Sequence, residues 1–172
     1  MTEPACKQTI TALAAGHILD APPLGACTIG ELATAWPGLE AAEDNIGTLG
    51  RDGSEVSWRA VHRGIAGQVL RVWHDRDRDR VLVIELEGPE PPEGWPALRA
   101  KLGAPSHKFD VFREVVQLGE GLWFYGARGV AAQTSFAGER LHRVMAFPPT
   151  TADDFIAHLA MSLAPPRERS AG

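Results

Sequence analysis

The chain has 172 residues, enough for one ordinary domain or two very small ones. Apolar residues make up 44%, which excludes wholesale disorder, and two cysteines cannot build a disulfide scaffold. Acidic residues outnumber basic ones by 22 to 17, a net charge of −5, so a nucleic-acid partner is not expected.

The first apolar stretch, Ile10 to Leu19, contains Thr11, Gly16 and His17 and stops at Asp20-Ala21-Pro22-Pro23. With no basic leader it reads as a helix over residues 5–18 rather than an export signal. No run approaches the roughly 20 apolar residues of a membrane span. A soluble cytoplasmic protein is therefore expected. Cys6 and Cys27 lie 21 residues apart and are expected as reduced, partly buried thiols. The alternative is a disulfide pinning the first helix. Neither Cys-x-x-Cys nor a zinc-type Cys/His spacing occurs, so no metal and no cofactor is expected.

A second helix follows. Thr28 and Glu31 have the spacing of a capping box, and Ile29, Leu32 and Trp36 form an apolar stripe that ends at Pro37-Gly38. Strand-like sequence comes next. Val56, Trp58 and Ala60 alternate with polar residues, Gln68 to Trp73 follows, and Val81-Leu82-Val83-Ile84 is densely β-branched before Gly88-Pro89. Trp95, Leu98 and Leu102 then repeat the helical stripe and stop at Gly103. Strands are expected over Phe109–Leu118, Leu122–Tyr125, Val130–Phe136 and Leu141–Phe147. Thr151 and Asp154 cap a closing helix over 151–163, and residues 165–172 read as a flexible tail.

The order suggests an internal repeat. Trp58 to Gln68 and Trp123 to Gln133 share the pattern W-x4-R-G-[IV]-A-x-Q, with five of eleven positions identical. About one identity is expected from composition alone. The expected architecture is α+β over residues 1–164, with two tandem units at about 24–91 and 92–150. Each unit is helix packed on a roughly four-stranded antiparallel sheet. A unit of this size is marginal alone, and two sharing an interface relieve that problem.

In element order over residues 28–147 the chain resembles the β-lactamase inhibitor protein fold, and the small outer-membrane assembly lipoproteins use a related single unit. It departs from that family in lacking its two internal disulfides and its secretion signal. The resemblance implies a scaffold that grips other proteins with an exposed sheet face. It implies no chemistry and carries over no binding residues.

Several local patterns invite a functional reading. Asp75, Asp77 and Asp79 imitate the start of a calcium loop, but Arg80 stands where Gly is needed and Leu86 where Glu is needed. A solvated hairpin tip is expected instead. Arg63-Gly64 and Arg128-Gly129 recur in both units. They could clamp a carboxylate, but with Trp58 and Trp123 they read as structural repeat positions, Gly bending the strand and Arg pairing locally. Trp36 and Trp95 belong to the helix stripes. Trp73 has no repeat counterpart and adjoins the arginine-rich tip. Trp and Arg dominate binding hot spots, so Trp73, His74, Arg76 and Arg78 form the expected partner-binding patch. The six histidines show no H-E-x-x-H, and no nucleophile elbow, Walker loop or dinucleotide fingerprint occurs.

The expected function is non-enzymatic protein binding. Its most concrete form is a bacterial immunity or inhibitor protein that occludes a toxin or enzyme, with the acidic balance suiting a basic partner. The alternatives are a small enzyme or ligand binder using a cleft between the units, and a secretion or envelope scaffold subunit.

Overall fold

The structure, a computed structural model, describes residues 5–63, 67–77, 80–110, 121–134 and 140–160, the side chains of Arg63 and Asp110 excepted. It is an α+β fold around one antiparallel sheet. The strands are β1 (Asn45–Leu49), β2 (Ser54–Arg63), β3 (Gln68–His74), β4 (Val81–Glu87), β5 (His107–Asp110), β6 (Gly121–Tyr125), β7 (Val130–Thr134) and β8 (Leu141–Ala146). Their order is β1-β2-β3-β4-β8-β7-β6-β5. Strand β4 is joined to β8, with Ile84 opposite Ala146 and Glu87 opposite Arg143.

Adjacent residues along a strand point to opposite faces, and the two hydrophobic clusters divide accordingly. Ile84, Leu86, Val144, Ala146, Val130 and Ala132 belong to the larger cluster, with Leu13, Leu32 and Leu98 from the helices. Val83, Met145, Ala131, Leu122 and Phe124 belong to the smaller one, closed by Phe155 from the C-terminal segment. The sheet thus has a helix-covered first face and a second face covered in part by the chain's last described turn.

Helix α1 (Ala5–Ala14) buries Cys6, Thr9, Ile10 and Leu13. It ends short of the expected Ile18. Gly16 adopts φ +78°, and a Cβ there would stand 2.5 Å from the Glu90 carbonyl oxygen. The chain turns at that glycine and a 3-10 turn, Ile18–Asp20, follows. Helix α2 (Ile29–Ala33) starts on the capping box that the sequence indicates: Glu31 N–H donates to Thr28 Oγ1 at 3.3 Å, and Thr28 N–H to Glu31 Oε2 at 2.8 Å. Helix α3 (Trp95–Leu102) buries Trp95, Leu98 and Leu102 as its stripe predicts.

The closing helix departs from expectation. Helix α4 (Ala152–Asp154) passes at once into a π turn, Phe155–Leu159, and 161–163 lie outside the described residues. The cause is competition for carbonyls. The backbone N–H groups of Gly50, Arg51 and Asp52 donate to the carbonyls of Ala160, Ile156 and Ala157. Ala160 N–H instead reaches back five residues to Phe155. Phe155 itself is fixed between Phe124 and Phe147, with ring centroids 5.1 and 4.7 Å away.

Two expectations need correction. Cys6 and Cys27 are joined as a disulfide, with Cα atoms 5.9 Å apart, rather than held as free thiols. Docking of α1 against the start of α2 brings them together, and both are buried in the larger core. The W-x4-R-G match does not place its residues equivalently. Trp58 packs on the second face and Trp123 on the first. Strand β2 runs straight to Arg63, which pairs with Gln68, whereas β6 stops at Tyr125 and gives way to a 3-10 turn, Gly126–Arg128. In a structure of period two, a slip of one residue reverses the face.

Candidate protein-binding face

The centre of the second face carries a cluster of charged residues around one buried carboxylate. Arg71 on β3, Glu85 and Glu87 on β4, and Arg143 on β8 lie on neighbouring strands, Arg71 directly opposite Glu85 and Arg143 opposite Glu87. Glu85 is fully buried. Its Oε1 accepts from Arg71 Nη1 at 2.9 Å and Arg143 Nη1 at 2.6 Å. Its Oε2 accepts from Trp73 Nε1 at 3.3 Å. Glu87 braces the outside, 3.6 Å from Arg71 and 3.2 Å from Arg143. The two arginines and Glu87 keep 25%, 19% and 29% of their side-chain surface, so the cluster is anchored from below and presented from above.

The aromatic part adjoins it. Trp58 and Trp73 face each other across β2 and β3 with ring centroids 5.9 Å apart, and the Arg71 guanidinium lies 5.3 Å over the Trp58 ring. Gly47 on β1 makes room for them, since a Cβ there would stand 2.9 Å from the Trp73 ring. Cross-strand aromatic pairing and cation–π contact both favour one fixed arrangement.

The expected patch is divided by this geometry. Trp73 is only 9% exposed and serves the cluster from beneath. His74 points to the opposite face and is 1% exposed. Its Nε2 lies 3.1 Å from Asp44 Oδ1 and its Nδ1 3.2 Å from the Asp75 carbonyl. Asp44 also accepts from Arg59 Nε at 2.6 Å, and this bond holds its carboxyl below the usual carboxylate range. Arg76 is exposed and pairs with Glu55. Arg78 lies outside the described residues. Burial therefore keeps Trp73 and His74 from forming a surface patch with Arg76.

The described repeat residues differ in their surroundings, Gly129 and Trp123 packing against the core and Arg128 standing exposed. Gly129 adopts φ +65°, and a Cβ would meet the Phe147 carbonyl oxygen at 2.1 Å. Arg128 is exposed on the turn before it. Trp123 packs edge-on against Trp95 at 6.2 Å, with Arg99 and Lys108 5.1 and 4.7 Å from its ring. Gly64 and the Arg63 side chain lie outside the described residues.

The sequence reading missed the Glu85 cluster, although a signal existed. In Val81–Glu87 the acids fall at alternate positions beside Ile84 and Leu86, so one face of a central strand is polar. Arg71 and Arg143 stand at positions of neighbouring strands that share that face.

Cavities among the described residues offer less. One of about 430 Å³ is lined by Ile10, Ala14, Trp36 and Gln68, and one of about 380 Å³ by Leu24, Val81, Pro148 and Leu159. An open depression of about 400 Å³ has the exposed His17 and Asp20 at its rim. No helix among the described residues is long and apolar enough to cross a membrane. Comparison with protein families, with curated proteins and with solved structures returned no match, so the functional reading rests on this geometry alone.

Proposed function

We propose that the chain is a non-enzymatic protein-binding domain, most concretely an immunity or inhibitor protein that occludes a toxin or enzyme with the second face of its sheet. The observation that carries this reading is the braced cluster of Trp58, Arg71, Glu87 and Arg143 over buried Glu85. Arg and Trp are the residue types that dominate binding hot spots. Side chains already fixed by their own lattice lose little entropy when a partner covers them. The strand order also supports a two-unit scaffold of the kind the β-lactamase inhibitor protein fold uses, as two four-stranded meanders meeting at β4 and β8. The net charge of −5 favours a basic partner through faster encounter.

Affinity capture from the host at low and moderate salt tests the reading, followed by titration of the captured partner with Trp58→Ala and Arg71→Lys. Each variant is expected to weaken binding at least about tenfold. Melting curves recorded beside the titrations separate lost contact from lost fold. Failure to retain a stoichiometric partner, or equal affinity of folded variants, would overturn it.

A further inference from the structure

Strand β1 lies at an edge of the sheet. Within residues 45–49 it carries none of the charges, prolines or bulges that keep such edges apart. Among the described residues, the C-terminal turn accepts backbone hydrogen bonds only from Gly50, Arg51 and Asp52, beyond the strand. Its sequence, Asn45-Ile46-Gly47-Thr48-Leu49, has no charged residue and no proline, and its pairing with β2 runs without a bulge. Among the described residues, no backbone hydrogen bond from residues 45–49 reaches beyond the sheet. Ile46 is 63% exposed and is the exposed large hydrophobic among the described residues. The opposite edge differs: β5 places His107, Lys108 and Asp110 within four residues. Gly47 does not serve to weaken pairing either, because the indoles of Trp58 and Trp73 require it.

We infer that β1 pairs antiparallel with β1 of a second copy of this chain, about a two-fold axis through Gly47. Flanking charge selects this occupant and this direction. The exposed Glu43 precedes the strand and the exposed Arg51 follows it. A two-fold through Gly47 sets Glu43 of each copy beside Arg51 of the other. It also sets Ile46 against Thr48, a β-branched pair on one face. A parallel copy would set Glu43 and Asp44 beside their own counterparts. The contact is isologous and closes as a dimer without continuing into a fibre. Five-residue edges bury well below the roughly 1,000 Å² of a stable interface, so the dimer is weak and forms with rising concentration.

Sedimentation equilibrium of the full chain, from about 10 µM to about 1 mM, reads the dissociation constant directly. Ile46→Lys, an edge charge on an exposed side chain, is expected to abolish the dimer. Arg51→Glu alone is expected to weaken it about fivefold, because symmetry breaks two ion pairs at once. Adding Glu43→Arg is expected to restore it. Amide exchange over residues 45–49 should slow as the dimer forms, and melting curves at low concentration check that each variant is folded. A monomer across the whole range overturns the inference. So does a dimer that folded Ile46→Lys and Arg51→Glu leave unchanged, which would put the contact on another surface.

Discussion

Replacing Glu85 with leucine tests whether one buried carboxylate organises the second face. Glu85 accepts from two guanidinium groups and one indole, and it is fully buried. Arg71 and Arg143 keep Glu87 as a partner and remain partly exposed, so each is expected to lose only about 0.5–1 kcal/mol. The Trp73 indole N–H is left buried without an acceptor, at a cost of about 1–2 kcal/mol. The total is about 3 kcal/mol, at the lower end of what breaking a buried pair costs. For a chain of this length that lowers Tm by roughly 6–12 °C. Glu85→Gln keeps one acceptor oxygen, and about half the loss is expected. Urea unfolding followed by circular dichroism measures both, with an unchanged m-value showing that the native and denatured states are otherwise alike. A leucine variant as stable as the parent would refute the reasoning, since the arginines would then not depend on Glu85 for their placement.

Removing the disulfide as Cys6→Ala/Cys27→Ala frees a loop closed across a separation of 21 residues, for which the chain-entropy model gives about 3 kcal/mol. Titration of thiols in unfolded protein isolated without reductant should find none free. At Asp44 the sign follows from its lowered carboxyl. The contact with Arg59 stabilises the fold above about pH 4 and is lost as pH falls through the folded-state value. Asp44→Asn should flatten acid unfolding in that window, and an unchanged acid midpoint would count against the contact. Gly50→Ala would put a Cβ 2.1 Å from the Ala157 carbonyl oxygen at φ +74°. A loss of more than about 2 kcal/mol is expected, concentrated in detachment of residues 152–160.

Local chemistry made part of the fold legible. The Thr28–Glu31 box, the Trp95–Leu98–Leu102 stripe and the β-branched run at Val81 each state their structure within a few residues. Strand β1 was not anticipated, because Asn-Ile-Gly-Thr-Leu has little intrinsic strand character and takes its form from pairing with β2. The candidate site was hidden for a related reason. Trp73 read as a surface anchor because it sits beside an arginine-rich tip, but pairing turns it onto the face it shares with Glu85. The π turn depends on three N–H groups about a hundred residues upstream, a distance no local pattern spans.

The joining of β4 to β8 has a consequence for synthesis. The chain is made from its N-terminus, and among the described residues β8 is the last strand to emerge. Until then β4 is an open edge, and it presents Val-Leu-Val-Ile, an apolar run suited to pairing with other nascent chains. The native sheet is therefore sealed late, by a strand that follows β4 in the sequence only after β5, β6 and β7. A premature stop before Leu141 would leave that seam permanently unsealed, and the truncated product would be retained by chaperones or aggregate.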